Sequence, residues 1–131
     1  MIGELPPELS VVFGLQEIDL FYNAINGTLS YFEGLENLAS LNLQENLLTG
    51  PAFPSSITTL PRLSSYLVSD NLLSGKMNSD IGSLTTLKEL WAGNNEISGS
   101  IPSEIGDLRN LKTIYLNNNK LAGELPTELG F

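Results

Sequence analysis

Carboxylates outnumber all other ionisable side chains in this sequence. The 131 residues contain 15 Asp and Glu against 6 Lys and Arg, with no His, no Cys and a formal net charge of −9. The lack of His and Cys removes the commonest general base, the thiolate nucleophile and most zinc ligands. A phosphate-cradling loop of the form G-x-x-x-x-G-K is also missing. We therefore expect a recognition function, with no catalysis and no cofactor.

The distribution of charge narrows the class of partner. Residues 1–61 contain seven acids and no Lys or Arg. Nucleic acids and anionic membrane surfaces are both bound through cationic side chains, so neither is an expected partner. No apolar run reaches the roughly 18 residues that would suggest a membrane span, so direct membrane insertion is not expected either. The first residues, Met-Ile-Gly-Glu-Leu-Pro-Pro-Glu, do not have the pattern of a signal peptide.

An internal repeat predicts the secondary structure that positions these side chains. The pattern L-x-x-L-x-L-x-x-N-x-L, with conservative replacements, begins at Leu15, Leu38, Leu63, Leu87 and Leu111. The starts are 23, 25, 24 and 24 residues apart. A nearly constant period of this size predicts a solenoid, in which each unit packs on its neighbours. We expect a single array over 1–131. It consists of a partial repeat at 1–14, full repeats at 15–37, 38–62, 63–86 and 87–110, and an incomplete last repeat at 111–131.

The fold class predicted for each repeat is α/β. The x-L-x-L-x segment alternates apolar and variable residues, which is typical of a strand with one buried face. Stacking the repeats gives a parallel sheet of about five short strands. The return segment, as in Pro102-Ser-Glu104-Ile-Gly106, favours a 3₁₀ or short helical turn. Because the back is bulkier than the front, the stack is expected to curve into an arc with the sheet on its concave side.

Two segments, each following the asparagine of the repeat pattern, indicate a family. They are Gly99-Ser-Ile-Pro-Ser-Glu-Ile-Gly106 and Gly123-Glu-Leu-Pro-Thr-Glu-Leu-Gly130. The chain resembles the leucine-rich repeat family in its plant-type subclass. That resemblance implies the ectodomain of a receptor-like kinase or receptor-like protein, or a secreted inhibitor, and an extracellular or cell-surface location. The family's cysteine-paired caps are missing, so we expect a fragment of a larger protein whose open solenoid ends could self-associate.

One asparagine recurs eight residues after the opening leucine of every repeat. A side-chain amide both donates and accepts, so it can bond backbone groups of the turn that leaves each strand. We interpret these residues as a structural ladder rather than a binding site: Asn23, Asn46, Asn71, Asn95 and Asn119.

Two inward positions depart from the family pattern. Tyr66 and Ala92 stand where leucine is expected, in adjacent repeats. A large residue beside a small one suggests volume compensation. The hypothesis is that Tyr66 fills the space that Ala92 leaves, with its hydroxyl reaching a polar rim.

Function is expected at the variable strand positions, which point out of the concave sheet and are not dictated by the repeat. One column of these positions brings together Leu67, Trp91 and Tyr115, and exposed apolar patches of this kind indicate contact surfaces. The alternatives are that cross-strand aromatic pairs only stabilise the sheet, or that the patch is buried by self-association. The predicted ligand-binding residues are Leu67, Trp91, Tyr115, Glu17, Asp19, Phe21, Tyr22, Glu45, Asp70, Glu89 and Asn94.

The outward strand positions carry five acids and no base, which favours a protein or peptide partner bearing Lys or Arg. A divalent cation bridging Glu45 and Asp70 is the alternative, but Ca²⁺ prefers six to eight oxygens and few are available. No metal site is therefore predicted. Asn26-Gly27-Thr28 is a glycosylation sequon in the turn after the first strand. Two other functions remain open, a structural spacer without its own partner and an ice-binding surface.

Overall fold

The computed structural model describes residues 1–129, and its main element is a five-stranded parallel sheet. Each predicted repeat supplies one three-residue strand to it, and the strands follow one another in chain order. Their bounds are β2 Glu17–Asp19, β4 Ser40–Asn42, β6 Ser65–Leu67, β7 Glu89–Trp91 and β9 Thr113–Tyr115. The predicted parallel sheet of about five short strands is confirmed.

A second parallel sheet runs along the adjacent side of the stack. Apart from β1, its strands follow the asparagine of a repeat. They are only two to four residues long, too short to give an alternation signal in the sequence. They are β1 Ile2–Glu4, β3 Ala24–Gly27, β5 Leu47–Leu48, β8 Ser98–Gly99 and β10 Lys120–Leu121. β1, β3 and β5 pair in that order and β8 pairs with β10, while single bridges from Pro51 to Ser74 and from Lys76 to Ser98 connect the two groups.

The convex side carries a short helical turn in every repeat except 15–37. Four of these turns are 3₁₀ helices: η1 Pro7–Val11, η2 Ser79–Ser83, η3 Ser103–Asp107 and η4 Thr127–Leu129. The second repeat, which contains one extra residue, instead has a turn of α-helix, α1 Ser55–Thr58. The leucine-rich repeat arc predicted from the sequence, with its sheet on one side and 3₁₀ turns on the other, is therefore the fold of this chain.

The core lies between the sheets and the helical turns. It contains the repeated leucines, among them Leu38, Leu63 and Leu87, which are all fully buried. Residues of successive repeats pack in columns, so each coil covers the next. Because a single coil has too little apolar surface to offset the entropy of ordering it, the stack depends on contacts between neighbours.

The recurring asparagines connect neighbouring coils through the backbone. Asn71 accepts a hydrogen bond from the Leu48 N–H at 3.0 Å and donates to the Leu43 carbonyl at 2.9 Å, both in the preceding repeat. Its amide also donates to Val68 and Ser69 at the end of its own strand. Asn46, Asn95 and Asn119 make the same four kinds of contact. The amides bond backbone groups rather than one another.

Tyr66 reaches across the core to the preceding repeat. Its side chain is fully buried, and its hydroxyl donates to the Ala52 carbonyl oxygen at 2.7 Å. The expectation that this hydroxyl reaches a polar rim is wrong. Ala52 occupies the slot that Leu29, Met77 and Ile101 fill in other repeats, so the small residue that Tyr66 contacts is Ala52. Compensation with Ala92 stays a prediction.

Candidate functional site

The last residues of the five strands form a continuous column on the concave face. In the sheet register, Leu67 lies beside Trp91, and Trp91 lies beside Tyr115. We call these three residues the apolar column. The same register extends it on the N-terminal side through Asn42 to Asp19. Neighbouring strands are about 4.8 Å apart, so three large side chains are held close together.

Trp91 and Tyr115 pack edge to face. Their ring centroids are 5.1 Å apart and the ring planes are inclined by 74°. This arrangement suits the charge distribution of aromatic rings and contributes about 0.5–1.5 kcal/mol beyond simple burial. Tyr115 remains 50% exposed, while Trp91 and Leu67 are partly buried. The Trp91 Nε1–H is buried and has no hydrogen-bond partner among residues 1–129, so one donor in the column is unused within the chain.

Small residues lie next to the apolar column. The Gly93 N–H donates to the Ser69 hydroxyl at 3.1 Å. A Cβ atom at position 93 would lie only 2.7 Å from Asn117 Oδ1. Glycine is therefore required for the Asn117 amide to lie over this strand. Ser69, Gly93 and Asn117 were not selected as site residues from the sequence, although a glycine at an outward strand position was a usable signal.

The residues that leave each strand form a second column, which we call the exit column. All five have the left-handed backbone conformation, with φ between 53° and 60°: Tyr22, Glu45, Asp70, Asn94 and Asn118. In the C-terminal half their side chains are connected. Asn118 Nδ2 donates to Asn94 Oδ1 at 2.6 Å, and Asn94 Nδ2 donates to Asp70 Oδ1 at 2.7 Å. Within residues 1–129 no three carboxylates come together in a group that could hold a metal ion.

The acidic residues predicted for the site are spread over the face. Glu17 and Asp19 lie on β2, three strand spacings or about 14 Å from Trp91 on β7. Asp19 Oδ1 accepts the Phe21 N–H at 3.0 Å, and the Phe21 and Tyr22 rings are 6.0 Å apart. Glu89 lies in the apolar half, where it accepts a hydrogen bond from Ser65 at 2.9 Å. The predicted set thus divides into a C-terminal group, in which the apolar column lies near Asp70, Glu89 and Asn94, and an acidic and aromatic N-terminal group.

Comparisons with known proteins give this geometry its context. The family profile described as leucine-rich repeats in two copies matches residues 85–128. The chain is 35% identical to the ectodomain of the receptor kinase GASSHO1/SCHENGEN3 from Arabidopsis thaliana, with a TM-score of 0.94, covering 98% of this chain and 16% of that one. This chain belongs to the leucine-rich repeat family, in its plant-type subclass. No curated protein sequence matches it at a significant level.

Two other solved leucine-rich repeat structures are similar. The Arabidopsis receptor kinase HAESA, solved with the peptide hormone IDA and the co-receptor SERK1, is 29% identical with a TM-score of 0.92, covering 98% of this chain and 22% of that one. A plant ice-binding protein is also 29% identical, with a TM-score of 0.91, covering 98% of this chain and 42% of that one. The chain thus spans about a fifth of the length of the receptor kinases. Within residues 1–129 no helix is long and apolar enough to cross a membrane.

The sequon of this leucine-rich repeat chain lies in regular structure. Asn26 is an exposed residue of β3 in the second sheet, in register with Glu4 and Leu47. The predicted placement of this sequon in a turn is wrong, because Asn26 pairs with the strands on both sides. Its side chain lies apart from the apolar column, which belongs to the other sheet.

Proposed function

We propose that this chain is a non-enzymatic protein- or peptide-recognition module that binds through the concave sheet. The observation that carries the proposal is the apolar column, in which the edge-to-face pair of Trp91 and Tyr115 lies beside Leu67 on an open face. Aromatic side chains at the centre of an exposed surface are the usual anchors of binding energy. The small residues Ser69 and Gly93 add little side-chain volume beside the column.

The proposed partner is a segment that combines an apolar anchor with Lys or Arg. The apolar anchor would pack against the column, and the bases would lie toward Glu17, Asp19 and Glu45, in the half of the chain without cations. Charge complementarity of this kind sets specificity and association rate more than affinity. The receptor kinases GASSHO1/SCHENGEN3 and HAESA were solved with bound factors or peptides, which supports a peptide ligand and an extracellular or cell-surface location.

A peptide-display selection on the folded chain tests the proposal. We expect enriched peptides to carry an aromatic or aliphatic residue and at least one Lys or Arg. Their binding should weaken at least tenfold in the double variant Trp91→Ala/Tyr115→Ala. The matched control is Leu47→Ala/Leu72→Ala, because both leucines are 50% exposed but follow the ladder asparagines, outside the concave sheet. Equal losses in both variants, or none in either, would leave a structural spacer as the better interpretation.

Ice binding is a second candidate because one of the similar structures is a plant ice-binding protein. A surface that matches ice needs a regular array of small polar residues. The first outward column instead runs Glu17, Ser40, Ser65, Glu89 and Thr113, and the neighbouring column contains Trp91. Inhibition of ice recrystallisation at micromolar protein, preserved in Trp91→Ala/Tyr115→Ala, would favour this function over peptide recognition.

A further inference from the structure

A group of cations lies along the edge of the concave sheet where its strands begin. Four of the six bases of the chain are there: Arg62, Lys88, Arg109 and Lys112. We call these four residues the basic edge. Lys88 and Lys112 immediately precede β7 and β9, and the Lys112 N–H donates to the Lys88 carbonyl at 2.8 Å. Arg62 and Arg109 lie in the turns that enter β6 and β9.

The basic edge is not neutralised by the chain's own acids. In the part of the chain that the structure describes, the single ion pair joins Lys120 to Glu96 at 3.2 Å, beside the second sheet. None of the four cations of the basic edge has an ion-pair partner there, although the chain carries nine more acids than bases. An unpaired cluster of one sign on an oppositely charged protein creates a local field that attracts its counterpart.

A shallow groove of about 420 Å³ lies within this edge. It is lined by Ala39, Arg62, Ser64, Thr86, Lys88 and Asn110. The Thr86 hydroxyl donates to the Leu63 carbonyl at 2.8 Å, and the Asn110 amide donates to the Thr85 carbonyl at 2.8 Å. These polar side chains are therefore held by the backbone of the preceding turn. The small residues Ala39 and Ser64 complete the lining beside the two cations, Arg62 and Lys88.

We propose that this groove is a second docking site, which takes an acidic segment of a protein partner. The groove runs across three repeats, from Ala39 to Asn110, so an extended segment fits it better than a single small anion does. An Asp or Glu side chain lies between Arg62 and Lys88, and a second acid reaches Lys112 or Arg109. Guanidinium and ammonium groups both pair with carboxylates at this kind of exposed edge. The site is separate from the concave face, so it does not depend on the proposed function.

The experiment is a titration of the ¹⁵N-labelled chain with a capped peptide of alternating Glu and Ser, at low and at physiological salt. We expect amide shifts at Ala39, Ser64 and Thr86 that weaken as salt is raised, since exposed charges are screened. The variant Arg62→Gln/Lys88→Gln should weaken binding at least tenfold. The matched control Lys76→Gln/Lys120→Gln changes the net charge equally on the other side and should change binding less than twofold.

Three outcomes would overturn the proposal. They are equal weakening by the two double variants, equal shifts from a capped Gln-Ser peptide, or tighter binding of inorganic phosphate than of the acidic peptide. The last result would indicate a phosphate site instead. The variant Trp91→Ala/Tyr115→Ala should bind the Glu-Ser peptide normally, so failure of this site and failure of the concave-face proposal are separate results. Thermal unfolding of each variant controls for loss of fold.

Discussion

The hydroxyl of Tyr66 donates to the carbonyl oxygen of Ala52 at 2.7 Å, and this bond joins two irregularities of the repeat. Ala52 is the small residue in a slot that holds Leu, Met or Ile elsewhere, and it precedes the residue inserted in the second repeat. No backbone N–H of residues 1–129 donates to its carbonyl. The Tyr66 ring also packs edge-on against the inserted Phe53, with centroids 6.1 Å apart. The tyrosine in one repeat therefore satisfies a backbone group displaced in another.

Removing this hydroxyl should destabilise the stack. In Tyr66→Phe the Ala52 carbonyl is left buried without a partner, which costs about 1–3 kcal/mol. We expect urea unfolding to show a lower midpoint with an unchanged slope. Tyr115→Phe is the control, because Tyr115 is half exposed and its hydroxyl makes no hydrogen bond within residues 1–129. A Tyr66→Phe variant as stable as the parent chain would remove this bond from the explanation.

The buried phenol of Tyr66 should make the protein less stable at alkaline pH. Burial raises the pKa of Tyr66 well above its ordinary value, while an unfolded tyrosine ionises near pH 10. Below about pH 10 the residue is protonated in both states and contributes no pH dependence. Above it, the unfolded chain binds fewer protons than the folded one, so the free energy of unfolding falls as pH rises, by up to about 1.4 kcal/mol per unit.

The measurement is the unfolding free energy of the parent chain and of Tyr66→Phe between about pH 9 and 11.5, a window set by the ordinary tyrosine pKa. The stability difference between the two should shrink as the pH rises through this range, because only the parent chain contains the buried phenol. Parallel curves at constant separation would contradict the assignment.

How much of the molecule the sequence predicts depends on which interactions repeat. The strand positions and the neighbours Leu67, Trp91 and Tyr115 follow from a period that places equivalent residues side by side. The second sheet was missed because segments such as Leu47–Leu48 are too short to show alternation. The partner of Tyr66 was missed because it lies beside the residue inserted in the second repeat, where the period gives no register. The left-handed exit column likewise includes Tyr22 and Glu45, residue types that do not signal positive φ.

The ladder asparagines should contribute to stability through the backbone groups that they bond. In Asn71→Leu four backbone contacts are lost, two of them with the preceding repeat. Leaving these buried groups unpaired should lower the unfolding free energy by about 1–3 kcal/mol. Asn78→Leu is a suitable control, since Asn78 is exposed and, within residues 1–129, its side-chain amide hydrogen-bonds only the Asp80 carboxylate. A thermal midpoint in Asn71→Leu that matches this control would count against the structural role.

Trp91 should contribute less to stability than to recognition. Trp91→Phe removes the buried Nε1–H that has no partner among residues 1–129, and keeps an aromatic ring beside Tyr115. Losing an unsatisfied donor offsets the loss of ring area, so we expect the unfolding free energy to change by less than about 1 kcal/mol. Peptides selected on the parent chain should nonetheless bind more weakly. A loss of several kcal/mol in stability would favour the alternative that this aromatic pair exists to hold the sheet together.

Glycosylation of Asn26 tests whether this sequon is accessible in a secreted chain. Asn26-Gly27-Thr28 is the single sequon of the chain, and Asn26 is exposed on β3, away from both proposed docking surfaces. A glycan there can extend into solvent without covering the apolar column or the basic edge.

When the chain is secreted from plant cells behind a signal peptide, intact mass should show one N-glycan that a peptide N-glycosidase removes. Asn26→Gln and Thr28→Val should each abolish it, while Ser30→Ala, which removes only the hydroxyl contact with Thr28 at 2.8 Å, should not. Secretion of a correctly folded but unmodified parent chain would show that the paired strand denies the transferase access to this sequon.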